Sequence, residues 1–259
     1  MKKIRAYDIF GNIAVVKFPI EVKQSDKKKF AQKMMKINKS ITTVVEKSGK
    51  FKGRLRVMQT KHLAGEKTKE ALYRENACVF RFNIDKTYFS PRLSNERKEI
   101  ASKIKKGDKV LVMFAGVSPF SIVIAKSSKA SYVVSNEINR EANKYAKLNI
   151  ELNKLKNKVE LLPGDIKRVV PKLKEKFDVI VMPRPQLKDS FLKQAFSVSK
   201  KNTQIFYYDF CSVKEKDLII DKIKHEAKKS RKKIKILKIK HAGEIAPYKV
   251  RLRVDFKVL

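Results

Sequence analysis

The sequence predicts an α/β protein: a mostly parallel sheet covered by helices on both faces and closed by a terminal antiparallel hairpin, with a small α+β domain in front of it. Three observations carry this. From Glu96 onward, short apolar runs alternate strictly with helical patterns, as in a parallel sheet buried on both faces. The final stretch, KIKILKIKHAGEIAPYKVRLRVDFKVL, instead holds two alternating runs around a Gly243 to Pro247 turn. The first third reads as short β segments around one helix.

Taken in order, Ile9 to Pro19 is a strand with an opening Gly11–Asn12 turn, and Lys23 to Asn38 is a helix with Phe30, Met34 and Ile37 on one face and Ser25 as its cap. Ala71 to Asp85 alternates like one half-buried strand. A turn, YFSPRLSNER, from Tyr88 to Arg97, leads into the larger domain, so the expected division is 1–90 and 91–259. The larger domain's strands are Val110 to Phe114, Ser131 to Ser135, Lys158 to Leu162, Val179 to Met182 and Gln204 to Phe210. Helices fall between them at Phe120 to Ala125, Arg140 to Asn153, Ile166 to Lys176 and Leu187 to Ser199. A basic helix, Val213 to Lys229, precedes the hairpin strands Lys233 to His241 and Tyr248 to Lys257. This order is the outline of a class I (Rossmann-like) methyltransferase sheet.

The charge balance narrows the partners. Lysine and arginine number 63 against 26 aspartates and glutamates, a net charge of +37, which repels itself unless a polyanion is the usual partner. Nucleic acid is the first candidate. No apolar run approaches the roughly 20 residues that cross a bilayer, and the N-terminus turns polar too early for a signal peptide, so a soluble, cytoplasmic protein without membrane attachment is expected. Cys78 and Cys211 are far apart and not spaced with His62, His225 or His241 as a zinc site requires; two reduced, buried thiols and no metal are expected.

Chemistry concentrates at the expected strand ends. In VMFAGVSPFS a strand runs into a glycine turn at Gly116 and then a helix, a geometry that lets a ligand approach the backbone closely. Glu137 ends the next strand, where an acid commonly accepts both hydroxyls of a ribose, and Asp165 ends the third, able to accept from an adenine amino group. Each acid taken singly is as readily a helix cap. The fourth strand ends in VMPRPQ, where Pro183 and Pro185 make a stiff turn suited to holding a flat substrate, or simply stop the strand.

These residues, together with YFSPRLSNER, LAGEKTKEALYREN and NEINREANKYAKLNIELNKL, resemble the archaeal and eukaryotic Trm5 family of tRNA (guanine-37, N1) methyltransferases over nearly the whole chain. The resemblance implies S-adenosyl-L-methionine as cofactor, the tRNA anticodon loop at position 37 as partner, and a monomeric enzyme. It places the general base on Glu96, which the residues alone would make a surface helix acid beside Arg97 and Lys98, and a charge-steadying arginine on Arg56. Pro183 and Pro185 would shape the turn against the flipped-out base. It implies a cofactor site of Tyr88, Arg97, Phe114, Gly116, Val117, Pro119, Phe120, Glu137, Ile138, Asp165, Ile166 and Pro183, and RNA contacts from Arg56, Arg92, Lys233 and Lys235. Three departures stand out. Relatives with a separate N-terminal module are longer, so reading of the tRNA body is expected to be reduced or moved to the lysine-rich surface. Val112 replaces an acid, and Ser118 replaces a second glycine, which should keep the turn only if its backbone is not left-handed. Three alternatives stay open: added methylation of a tricyclic wyosine intermediate, aminocarboxypropyl transfer to the same position, and a non-catalytic RNA-binding protein on the same fold.

Overall fold

The computed structural model describes residues 7–49 and 57–259 and divides into two compact units, Met1–Pro91 and Arg92–Leu259. In the first unit, β1 (Tyr7–Phe10), β2 (Ile13–Val16), β3 (Thr43–Lys47) and β4 (Thr60–Gly65) form a sheet in that order, with β2 and β3 parallel. Helix α1 (Gln24–Ile37) buries Ala31 and packs Phe30, Met34 and Met35 against the core, whereas Ile37 lies in solvent. Ser25 does not cap α1: the helix begins at Gln24 after Lys23, leaving Ser25 inside its first turn. The expected single strand from Ala71 to Asp85 is a hairpin of β5 (Glu70–Glu75) and β6 (Cys78–Asn83). Asn76 and Ala77 both take positive φ, the backbone of a two-residue hairpin turn, and alternation continues through such a turn without a break.

The second unit is a seven-stranded sheet in the order β12-β13-β11-β10-β7-β8-β9. Strands β7 (Lys109–Met113), β8 (Tyr132–Glu137), β9 (Val159–Pro163), β10 (Phe177–Met182) and β11 (Ser199–Ser212) run parallel, and β13 (Lys249–Val258) and β12 (Ile234–Ala246) complete the sheet antiparallel. The order reverses between β7 and β10, which opens a crevice at the carboxyl ends of those strands. Helices α2 (Ser94–Lys103), α3 (Pro119–Ser127), α4 (Arg140–Leu152), α5 (Ile166–Val169), α6 (Leu192–Ser197) and α7 (Lys216–Lys229) connect and cover the strands. Every residue of α3 from Pro119 to Ala125 is buried, which explains its unbroken apolar sequence. Two helices are shorter than expected. Helix α5 passes into a 3-10 turn at Val170–Lys172, where Pro171 cannot donate to a continuing helix. Helix α6 starts only at Leu192 because the preceding loop wraps a buried arginine, described below. Among the described residues no helix is long and apolar enough to cross a membrane. Cys78 is buried as expected; Cys211, near the end of β11, is half-buried, and both are free thiols.

Strand β13 has an unusual economy. Its apolar residues Val250, Leu252, Val254, Phe256 and Val258 enter the main core, and the alternate face carries Arg251, Arg253 and Asp255, which are also buried. Arg253 is fully covered, and its guanidinium is answered from three sides. Nε donates to Asp255 (2.7 Å), Nη1 to Glu96 (2.6 Å) and Nη2 to Glu99 (2.6 Å), the last two from α2. Lys103 joins Asp255 at 2.9 Å, and Lys240 of β12 bonds both glutamates. The fold therefore seats α2 through an ionic layer as well as through its buried Ile100 and Ala101. Replacing Arg253 with Met leaves three carboxylates short of a partner, and chemical denaturation should show a loss of about 3–5 kcal/mol.

Candidate functional site

Three parallel strand ends meet at the loop around Gly116. Phe114, Gly116 and Ser118 sit at φ +60°, +60° and +66°, so every second residue of FAGVS is left-handed. Ser118 thus keeps the turn in the conformation that a non-glycine residue was expected to forbid. A left-handed L-residue costs about 1–2 kcal/mol, and at Ser118 this is offset by a buried hydroxyl cluster. Ser118 and Ser121 both lie 2.8 Å from the Ser135 hydroxyl on β8. Val112, paired with Ser135 across β7 and β8, is fully buried.

Glu137 ends β8 and braces the loop. One carboxylate oxygen accepts from the Gly116 amide (2.8 Å), the other from the amides of Ile138 (2.9 Å) and Asn139 (2.8 Å). The cap of α4 is Asn139, so Glu137 does not serve that role. Asp165 does cap its helix, accepting from Lys167 N at 3.0 Å. Asn136 ties the strand ends together by donating to the carbonyls of Leu162 (2.8 Å) and Gly164 (3.0 Å). Gly116, Glu137 and Ile138 are directly bonded, and Gly164, next to Asp165, donates to the Glu137 carbonyl at 2.8 Å. The result is a cradle of backbone and carboxylate oxygens at the crevice, with a half-buried Phe114 ring 4.9 Å from Phe191 on one wall. A nucleoside with a flat base and two hydroxyls fits this donor and acceptor set. Val117, Pro119, Phe120 and Ile166 are buried parts of its frame, and Pro183 and Pro185 are half-buried at the end of β10.

Glu96 is not a surface acid. It is 5% exposed in the first turn of α2, because α2 lies on the charged face of β13. Its Oε2 accepts from the Tyr208 hydroxyl (2.8 Å) and Arg253 (2.6 Å), and its Oε1 from Lys240 (2.6 Å). Burial alone would raise this carboxyl; hydrogen bonds from Lys240 and Tyr208 and the Arg253 charge outweigh it and hold the group below its ordinary value. Tyr208 is pushed well above its own ordinary value by burial and the Glu96 charge, so it stays a donor. With two donors on Oε2 and one on Oε1, Oε1 keeps a lone pair able to accept a proton. The Tyr208 ring lies 6.0 Å from Phe120 of α3, and the Arg97 guanidinium sits 5.7 Å from the same ring. Thus Arg97 is buried against α3, and Phe120 lies between the Glu96 cluster and the Gly116 loop.

Arg92, Lys233 and Lys235 are exposed, Tyr88 is half-buried in the first unit, and Arg56 lies outside the described residues. Sequence reasoning missed Tyr208, Lys240 and Arg253; the signal was RLRVDF, three charges on one face of an otherwise apolar strand.

Two family models match: the TRM5/TYW2 methyltransferase domain over residues 71–237 and the TYW2 N-terminal domain over residues 1–68. The chain is 35% identical to tRNA (guanine(37)-N(1))-methyltransferase Trm5b of Pyrococcus abyssi, across 98% of this chain and 74% of that protein. The crystal structure of that Trm5b superposes with a TM-score of 0.88, at 33% identity over 98% of this chain and 75% of the other. Identity is 33% to the tRNA (guanine(37)-N(1))/4-demethylwyosine(37)-methyltransferase Taw22 of Nanoarchaeum equitans, covering 98% of this chain and all of that one. The complex structure of aTrm5 and tRNALeu is similar at a TM-score of 0.84 and 29% identity, over 98% of this chain and 72% of that one.

The acid side of the stability profile follows from the ionic layer. Glu96 and Glu99 are both held below their ordinary value of 4.5, Glu99 chiefly by its hydrogen bond from Arg253. A depressed carboxylate stabilises the fold fully above its unfolded value and loses that contribution as pH falls toward the folded one. The melting temperature should therefore hold from pH 7 to about 5 and drop steeply below about 4.5, while Glu99→Gln melts lower at neutral pH with a shallower acid slope.

Proposed function

The chain belongs to the TRM5/TYW2 methyltransferase family, and from that premise we propose that it is a tRNA methyltransferase transferring a methyl group from S-adenosyl-L-methionine to N1 of guanosine 37. Guanine N1 carries a proton at neutral pH and becomes a nucleophile only when that proton leaves, so a base is the one group this reaction demands of the protein. The observation that carries the reading is the buried Glu96 carboxylate, held ionised by three donors and left with one accepting lone pair on Oε1.

The residues divide the work as follows. Glu96 takes the N1 proton on Oε1, while Tyr208 and Arg253 fix its other oxygen and so its direction. Arg56 steadies the charge that develops on the guanine oxygen. The Gly116 loop, Glu137 and Asp165 hold the nucleoside part of the cofactor, with Phe114, Val117, Pro119, Phe120, Ile138, Ile166, Tyr88 and Arg97 as its surroundings. S-adenosyl-L-methionine supplies an electrophilic methyl on its sulfonium. Pro183 and Pro185 form the rigid wall for a base taken out of the stack. Arg92, Lys233 and Lys235, with the +37 net charge behind them, meet the phosphate backbone. The reading is of a monomeric, cytoplasmic enzyme that needs no metal.

Taw22 of N. equitans, by its name, also methylates 4-demethylwyosine, which supports the same dual use here. The match of residues 1–68 to a TYW2 N-terminal domain favours a second reading, aminocarboxypropyl transfer to position 37. One experiment separates them. A G37 tRNA transcript and an A37 counterpart are incubated with the protein and methyl-labelled cofactor, and the nucleosides are resolved by mass. Methylated guanosine from the G37 transcript alone is expected. An aminocarboxypropyl adduct, or no product, would overturn the methyl-transfer reading, and label on both transcripts would overturn the site.

A further inference from the structure

Between the two prolines of the β10–α6 loop stands Arg184, and its side chain points into the protein with only 2% of its surface exposed. Its guanidinium donates through Nη1 to Asp209 of β11, and through Nη2 to the carbonyl of Leu187 and the carbonyl of Asp189 (2.6 Å). Asp209 is itself crowded with donors: the Tyr207 hydroxyl (2.9 Å), Lys222 of α7 (2.8 Å) and the Phe210 amide (2.8 Å). The arginine thus lies at the centre of the loop, and the loop is folded around it.

Little else shapes this segment. Pro183 and Pro185 have no N–H to donate, and among the described residues none of the amides from Gln186 to Ser190 donates to a backbone carbonyl. The loop closes onto α6 through Asp189, whose carboxylate accepts from the Phe191 amide (2.8 Å) and meets Lys167 at 2.5 Å. Without the guanidinium, the Leu187 and Asp189 carbonyls would turn inward with nothing to bond. Stability alone does not call for an arginine here. Its Nε is buried without a partner, and a buried ion pair is commonly matched or bettered by apolar residues of similar volume. What an apolar side chain could not do is draw two loop carbonyls and one strand carboxylate to a single planar fork.

We propose that Arg184, anchored on Asp209, is a positioning residue for the reaction: it sets the backbone path from Pro183 to Asp189 and so the wall against which the target base is held. The inference rests on the methyl-transfer reading for the wall's purpose, but not for the loop's order, and the two are measured separately.

The test uses the full chain and four proteins: wild type, Arg184→Lys, Arg184→Met, and the double variant Arg184→Met/Asp209→Leu, in which the charge pair is replaced by apolar groups. Thermal melting, cofactor affinity by calorimetry, tRNA affinity, single-turnover methyl transfer to a G37 transcript, and amide hydrogen exchange of residues 186–191 are recorded. Arg184→Met should melt lower, and the double variant should recover part of that loss, the Leu187 and Asp189 carbonyls and the Tyr207 hydroxyl still lacking partners. Both should exchange the 186–191 amides faster than wild type. Both should also transfer methyl about 100-fold more slowly with cofactor and tRNA affinities within about twofold, as expected for a misplaced reacting group. Arg184→Lys, which keeps the charge but not the fork, should fall between. Recovery of the rate along with the melting temperature in the double variant would reduce the pair to a structural role and overturn the proposal. So would a wild-type rate in Arg184→Lys or Arg184→Met, and Arg184→Lys decides the matter if the double variant does not fold. If wild type itself transfers no methyl, the functional reading fails, and unchanged exchange of 186–191 in Arg184→Met would still overturn the loop assignment by itself.

Discussion

A fully buried guanidinium governs the second unit. Arg253 lies in the middle of β13, covered on every side, and a charge so placed must be answered by carboxylates of good geometry or it would cost several kcal/mol. Asp255 comes from its own strand; Glu96 and Glu99 come from α2. The requirement fixes where α2 lies and which way its first turn faces. Glu96 is consequently buried, ionised and fixed in direction. The structural ion pair and the proposed chemistry share one carboxylate but use different oxygens, Oε2 for Arg253 and Oε1 for the proton.

Tension between stability and site geometry recurs at the cofactor loop. Two residues with side chains, Phe114 and Ser118, occupy left-handed backbone beside Gly116. The strain is held by neighbours: the Ser118, Ser121 and Ser135 hydroxyls on one side and the Glu137 carboxylate on the Gly116 amide on the other. Glu137 holds one amide of this loop, that of Gly116, together with those of Ile138 and Asn139 just beyond its own strand. The Arg184 fork repeats the device at β10, with a buried side chain dictating a loop from inside. In each case side-chain hydrogen bonds from outside the local backbone pattern hold the loop's path.

Much of this was legible in the sequence, and the limits have physical causes. The central parallel strands were visible because their runs, such as VLVM in β7 and VIVM in β10, are apolar throughout, as in strands covered on both faces. Gly116, Glu137 and Asp165 were expected at or just past strand ends, and the structure places them there. Glu96 was misread from its neighbours alone: SNERKE is as polar as any surface turn, and its burial comes from Arg253, 157 residues away. Ser118 was misjudged because left-handed backbone was treated as a local cost, whereas the hydroxyl partner on β8 is a tertiary one. The shortened α6 followed from Arg184, whose partners lie on β11 and in its own loop. What local pattern could not supply in each instance was a long-range polar partner.

The account turns on Glu96 acting as the base rather than only as a partner for Arg253. The most direct measurement compares Glu96→Gln with Glu99→Gln, which removes the same charge from the same guanidinium, in single-turnover methyl transfer and in tRNA binding at a temperature where both are folded. The account predicts a fall of about 10²–10⁴-fold in the Glu96→Gln rate with tRNA affinity unchanged, and a rate near wild type for Glu99→Gln. A wild-type rate in Glu96→Gln, or equal losses in the two variants, would contradict it.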